Sequence, residues 1–168
     1  TLRDRLPVHP DAIRAGLLAV RLPGRFQVFP GPVEWILDVA HNPHAAKVLA
    51  DNLRDRNCSG KTLAIVGLLA DKDAGGVIRA LAGSVADWYP VTLDGPRGRA
   101  GAELAALLSD AGARAVARDD LIDACRTARI AARPGDRIVV FGSFHTVAPV
   151  LAAQPWLSNF SLPHSREA

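Results

Sequence analysis

ILDVAHNPHAA, Ile36 to Ala46, passes within a few residues from an apolar run to a carboxylate, two histidines, an asparagine and a proline. The residues before the change, Val33 to Val39, are short, greasy and β-branched, the signature of a strand. The residues after it open a helix: Asn42 is a good N-cap and Pro43 a good first helical residue, and the pattern carries on to about Arg56. A strand that runs straight into a helix is the repeating unit of an α/β sheet. Asp38, His41 and Asn42 then fall in the strand-to-helix turn. In open α/β sheets the carboxyl ends of the strands form the edge where ligands bind, and the free N–H groups of a helix start attract anions.

Working outward, the alternation repeats. Downstream the spacing predicts strand Thr62–Val66, helix Asp73–Val85, strand Trp88–Leu93, helix Gly101–Asp110, a short strand Arg114–Ala117, helix Asp119–Ala132, strand Arg137–Phe141 and a short helix Phe144–Ala152. The Asp119–Ala132 helix carries its acids first (Asp119, Asp120, Asp123) and its arginines last (Arg126, Arg129, then Arg133), as a helix dipole favours, and Pro134-Gly135 stops it. Upstream, Asp11–Val20 has helical spacing and ends before Pro23-Gly24. Phe26–Phe29 and Val33–Val39 flank Pro30-Gly31-Pro32 as a hairpin or a tight corner. The fold class is therefore α/β: a doubly wound, mostly parallel sheet with helices on both faces. The tail Ser158–Ala168 has no periodicity and is expected to fray.

Composition narrows the function classes. At 168 residues and 49% hydrophobic, the chain can bury a core of its own. Its net charge of +3 comes from dispersed arginines with acids between them, which argues against a nucleic-acid surface. No run approaches the roughly 18 apolar residues of a membrane span, and no signal peptide is legible, so a cytoplasmic protein is expected. Cys58 and Cys125 have neither disulfide-framework nor zinc spacing. The first residue, Thr1, opens a charged stretch that reads as the continuation of a longer polypeptide.

Four polar turns should meet on one edge: the Asp38–Asn42 turn, Gly67–Asp73 (GLLADKD), Asp94-Gly95-Pro96-Arg97, and Gly142-Ser143-Phe144-His145-Thr146. Each residue also has a plain structural use. Asp38 can simply accept backbone N–H bonds, Asn42 and Ser143 can be N-caps alone, His145 can be a structural hydrogen bonder, and Lys72 can belong to a solvated loop. His41 and His44 lack a third ligand, so no metal site is read there. Ser59-Gly60-Lys61-Thr62 resembles the end of a P-loop, but Asp55 stands at the first glycine position and a strand follows instead of a helix. Ser143 sits like a hydrolase nucleophile, yet the closing glycine and the acid-then-histidine order are missing.

Taken in order, LPGRFQV, ILDVAHNPHAA, GLLADKD, DWYPVTLDGPRG and GSFHTV resemble the C-terminal domain of the folylpolyglutamate synthase and dihydrofolate synthase branch of the Mur ligase superfamily, from about Leu22 to Ala152. The resemblance implies a Rossmann-like C-terminal domain over residues 23–168, with residues 1–22 ending a preceding ATP-binding domain. It implies that Arg25 reaches the ATP phosphates and that Asp38 holds the ribose. His41 and Ser143 would bind the incoming glutamate, Arg25 and His41 being the catalytic pair, with Asn42, His145 and Lys72 as further substrate-binding positions. It further implies ATP and Mg2+ as cofactors, the metal being held mainly by the P-loop domain, and a monomer. L-glutamate and dihydropteroate or a reduced folate would be the substrates. The activity implied is ATP-dependent amide formation through an acyl phosphate, in which an arginine at the transferring phosphoryl acts on the transition state. With no P-loop of its own, the 168-residue chain is expected to be inactive alone. Another Mur-type amino-acid ligase, or a non-catalytic α/β module, are the rival readings.

Overall fold

The computed structural model describes residues 8–20 and 22–153. The tail expected to fray, 158–168, lies outside the described residues, as do eight of the residues assigned to a preceding domain. Among the described residues there are six α-helices and a five-stranded sheet: α1 (Pro10–Ala19), β1 (Gln27–Phe29), β2 (Glu34–Asp38), α2 (Pro43–Asp55), β3 (Thr62–Val66), α3 (Ala74–Leu81), β4 (Asp87–Pro90), α4 (Gly101–Asp110), α5 (Leu121–Ala131), β5 (Arg137–Phe141) and α6 (Phe144–Ala152). The strand order is β1-β2-β5-β3-β4, and every pair is parallel except β1 with β2, the expected hairpin.

The central strands β3 (TLAIV) and β5 (RIVVF) are buried along their whole length. Alternate side chains feed opposite faces, as a period of two requires. Val139 and Phe141 join Ile36, Ala64 and Trp88 beneath α2, α3 and α4; Ile138 and Val140 join Trp35, Leu37, Leu63 and Ile65 beneath α5 and α6. Each fully buried Leu, Ile or Val contributes about 1.5–3 kcal/mol of apolar transfer, so these two layers carry the fold.

Local chemistry accounts for most boundaries. Asn42 caps α2 by accepting from Ala45 N–H (2.9 Å), and Asp120 caps α5 by accepting from Asp123 N–H (2.7 Å). Asp73 is itself the N-cap of α3, and the helix tightens into a 3-10 turn at Ala82–Ser84, so the expected Asp73–Val85 helix is shorter. The expected strand Arg114–Ala117 is instead an extended segment held to β4 by two isolated parallel bridges, Trp88 with Ala115 and Val91 with Arg118. Pro90 explains the gap. Trp88 N–H donates to Arg114 O and Thr92 N–H to Arg118 O, but the residue between them in the ladder has no N–H to give.

At the amino ends of the strands the polar groups are consumed structurally. Asp136 accepts from Lys61 N–H and Arg133 N–H (both 2.8 Å), Arg137 Nε donates to Thr62 Oγ1 (2.8 Å), and Lys61 pairs with Asp87. Among the described residues no helix is long and apolar enough to cross a membrane. Cys125 lies wholly inside the α5 face, where burial pushes its thiol up to about 12. The thiol, not the thiolate, is therefore present at neutral pH. Iodoacetamide at pH 8 is expected to leave Cys125 unmodified in the folded chain and to label it on denaturation, read by peptide mass spectrometry; equal labelling in both states would contradict this burial.

Candidate functional site

The parallel strands end together, and their four following turns meet as expected. His41 from the β2–α2 turn, Leu69 and Lys72 from β3–α3, Arg97 from β4–α4, and Gly142 to His145 from β5–α6 line one cavity of about 250 Å3. Two of the turns touch backbone to backbone. Gly67 N–H donates to Phe141 O (3.2 Å), and Thr146 Oγ1 donates to Gly67 O (2.8 Å). Gly142 makes this approach possible: its φ is +120°, and a Cβ there would lie 2.2 Å from Gly67 O.

Hydrogen-bond bookkeeping fixes what two of the expected residues can offer. The Thr146 hydroxyl hydrogen goes to Gly67 O, a carbonyl that only accepts. In the 2.9 Å contact between Ser143 Oγ and Thr146 Oγ1, the donor must then be Ser143. Ser143 Oγ also accepts from Thr146 N–H (3.1 Å), the N-cap bond of α6. One lone pair remains, so Ser143 faces the cavity as an acceptor. His41 is similar: its Nδ1 lies 2.8 Å from Val39 O, which requires the hydrogen on Nδ1 and leaves Nε2 an acceptor in the neutral ring. Both residues suit an amine.

The cationic side chains in the cavity are Lys72 and Arg97. Asp71 lies between them: Lys72 Nζ is 2.9 Å from Asp71 Oδ2, and Arg97 Nη2 is 3.0 Å from each carboxylate oxygen. Lys72 foremost and then Arg97 draw the Asp71 carboxyl down to about 2, so it is ionised throughout the neutral range. The loop that carries Arg97 is docked by its backbone. Ala70 N–H donates to Arg97 O (2.9 Å), and Arg99 Nη2 donates to Ala70 O (2.7 Å) and Lys72 O (3.1 Å).

Arg25 and Asp38 do not line this cavity. Arg25 lines a second, open one of about 640 Å3 with Pro23, Phe26 and Gln27, among others. Its guanidinium lies 5.8 Å from the centre of the ring of Phe144, a residue that lines the first cavity. Asp38 organises the corner. Its Oδ2 accepts from Phe26 N–H (2.8 Å) and its Oδ1 from Ala40 N–H (2.7 Å), which pins Phe26 at φ 42°, a left-handed geometry costly for a side chain of this size. Burial raises the Asp38 carboxyl; the two N–H donors and Arg25 oppose it. Each oxygen keeps a free lone pair on this count, so the backbone use and a ligand contact are compatible. Asn42 is used as the α2 cap and lies off the cavity, while His145 stands exposed at its mouth. Among the described residues no group of three or more His, Cys, Asp or Glu is arranged to hold a metal ion.

Arg97 and Phe144 are the residues to which sequence reasoning gave no role. The turn containing Arg97 was legible as part of the edge, but its alignment with Lys72 depends on Arg99, whose long-range bonds leave no local sequence signal.

Residues 24–144 match the family described as Mur ligase, glutamate ligase domain. The Escherichia coli dihydrofolate synthase/folylpolyglutamate synthase is 40% identical over 146 residues, 87% of this chain and 34% of that protein. The Haemophilus influenzae protein of the same name is 38% identical over 161 residues, 84% of this chain and 37% of its own length. The chain thus spans about a third of the length of these curated relatives. A diaminopimelate-adding UDP-N-acetylmuramoyl-L-alanyl-D-glutamate ligase of Corynebacterium glutamicum is 30% identical over 162 residues. Among solved structures, E. coli FolC in complex with DHPP and ADP superposes with a TM-score of 0.83 at 38% identity, covering 91% of this chain and 36% of that one. A bifunctional folylpolyglutamate synthase/dihydrofolate synthase with Mn, AMPPNP and L-glutamate bound superposes with a TM-score of 0.80 at 46% identity, covering 89% and 36%.

Proposed function

We propose that the chain, which belongs to the Mur ligase family through its glutamate ligase domain, is the C-terminal domain of an ATP-dependent amide ligase that adds L-glutamate to dihydropteroate, to the γ-carboxylate of a folate, or to both. The observation that carries this reading is the small cavity lined both by acceptors, His41 and Ser143, and by cations, Lys72 and Arg97, in a chain 40% identical to a dihydrofolate synthase/folylpolyglutamate synthase. At about 250 Å3 the cavity falls below the roughly 300–1,000 Å3 typical of drug-sized ligands and suits a free amino acid better than a pteridine. The Escherichia coli and Haemophilus influenzae folate-branch relatives, at 40% and 38%, are more similar than the peptidoglycan-type ligase at 30%, which favours folate substrates over a Mur-type alternative.

In this reading ATP supplies the phosphoryl group: a carboxylate oxygen of the acceptor substrate attacks the γ-phosphorus, and ADP departs. Arg25, on the rim of the larger cavity, meets the oxygens on which negative charge grows. A guanidinium does so with directed, charge-assisted bonds. Asp38 fixes the corner that presents Arg25 and gives its remaining lone pairs to the ribose hydroxyls. The amine of glutamate then attacks the acyl carbon and phosphate leaves, which requires the amine to shed a proton. His41 Nε2 is the acceptor placed for that proton, and Ser143 Oγ orients the amine by accepting from it. Lys72 meets a carboxylate, and His145 lies at the entrance.

In this reading Mg2+ and the triphosphate cradle belong to a P-loop domain of the same polypeptide. Helix α1 supports such a neighbour, because Pro10–Ala19 buries none of its side chains and leaves Ile13, Leu17 and Leu18 exposed. A cytoplasmic, monomeric ligase follows from the same reading.

The test is ATP-dependent incorporation of labelled glutamate into dihydropteroate and into a reduced folate by the full-length polypeptide, with the 168-residue chain alone as control. Incorporation by the full-length protein only is the expected result. Absence of both products from a folded, ATP-binding protein would refute the folate assignment.

A further inference from the structure

We infer that Arg97 is a specificity-determining residue, the cation that selects an amino acid carrying a side-chain carboxylate, and that Asp71 occupies it as an internal surrogate until that carboxylate arrives. The inference rests on the ligase reading above and adds to it a residue and a mechanism of selection.

Elimination within the cavity leads there. Ser143 has spent its hydrogen on Thr146, and a neutral His41 has spent its one ring hydrogen, on Nδ1, on Val39 O, so in that state neither side chain donates to a carboxylate. An amino acid with two carboxylates needs more than these acceptors. Lys72 and Arg97 are the cationic side chains lining the space, and both are turned to the same carboxylate, that of Asp71.

The Asp71 contact is of a kind a ligand can replace. It is solvent-exposed, with 64% of the Arg97 side chain and 47% of the Asp71 side chain accessible, and exposed ion pairs hold weakly. Its geometry is also incomplete. One nitrogen, Nη2, serves both oxygens at 3.0 Å, instead of two nitrogens forming the parallel fork that guanidinium and carboxylate prefer. Among the described residues Nε and Nη1 of Arg97 meet no acceptor. A substrate carboxylate entering from the cavity side can take the fork and displace Asp71. The backbone beneath is already set, through Arg97 O on Ala70 N–H and Arg99 on Ala70 O and Lys72 O, so the exchange requires only side-chain movement.

The experiment measures steady-state kinetics of the full-length ligase with glutamate and with glutamine, which keeps the length and loses the charge. Arg97→Ala is expected to raise the KM for glutamate about 10- to 100-fold, the range of one charge-assisted contact, with kcat and the KM for ATP within about twofold. The preference for glutamate over glutamine should fall by a similar factor. Arg97→Lys, which keeps charge without the fork, should restore part of that preference. Asp71→Asn, which removes the competitor, should lower the KM for glutamate several-fold. An unchanged glutamate KM and unchanged preference in an active Arg97→Ala enzyme would overturn the inference and leave the ligase reading intact. A raised KM in Asp71→Asn would overturn the surrogate role. Failure of the unsubstituted enzyme to use glutamate at all would overturn the ligase reading and this inference with it.

Discussion

Arg25→Ala in the full-length ligase is expected to lower kcat about 10²- to 10³-fold, the loss typical of one preorganised donor to a charge that develops in the transition state. The domain's melting temperature should move by less than about 3 °C. The two halves of this expectation come from the same geometry. Arg25 is exposed and forms no salt bridge among the described residues. Its neighbour is the Phe144 ring, 5.8 Å away, and an exposed cation–π contact contributes only about 0.5–1 kcal/mol. A residue with so little structural use, held on a corner that Asp38 pins by two backbone bonds, costs the fold little when removed. Rapid-quench measurement of acyl-phosphate formation separates the cases: a slowed chemical step supports the phosphate role, whereas unchanged kcat in Arg25→Ala removes it.

Gly142→Ala should lower stability by about 3–5 kcal/mol. Two costs add. At φ +120° any Cβ is strained, and here the new methyl would also sit 2.2 Å from Gly67 O and 2.9 Å from its carbonyl carbon. The turn must move outward, which breaks the Gly67 N–H bond to Phe141 O and the Thr146 bond to Gly67 O. Gly112→Ala is the matched control. Gly112 has a φ of +73° with no atom within 4 Å of the added Cβ, so it carries backbone strain alone, about 1 kcal/mol. Urea denaturation of the two variants measures the difference. Equal losses would mean that crowding between the turns contributes nothing.

What could be read from the sequence was governed by short-range chemistry. Asn42-Pro43, Asp120 and Ser143 announce helix starts because a cap bonds within three residues of itself. The apolar runs of β3 and β5 announce buried parallel strands. From these the edge where four turns meet followed directly, and His41, Lys72, Ser143 and His145 do share one cavity there. What could not be read depends on partners far along the chain. The missing N–H of Pro90 breaks a ladder with residues that begin at Arg114. Asp38 looked like a ligand residue or a backbone acceptor; the structure gives it the second use, twelve residues back at Phe26, without closing off the first. The donor sense of Ser143 was illegible because it is decided at Gly67, through Thr146.

Helix α1 has a practical consequence. It adds no buried side chain, while both core layers draw their buried residues from Val33 onward. A recombination point between Leu22 and Gly24 therefore severs no part of the interior. Domains of this kind should be exchangeable between ligases at that seam, each transplant carrying its own amino-acid preference onto a foreign ATP-binding half.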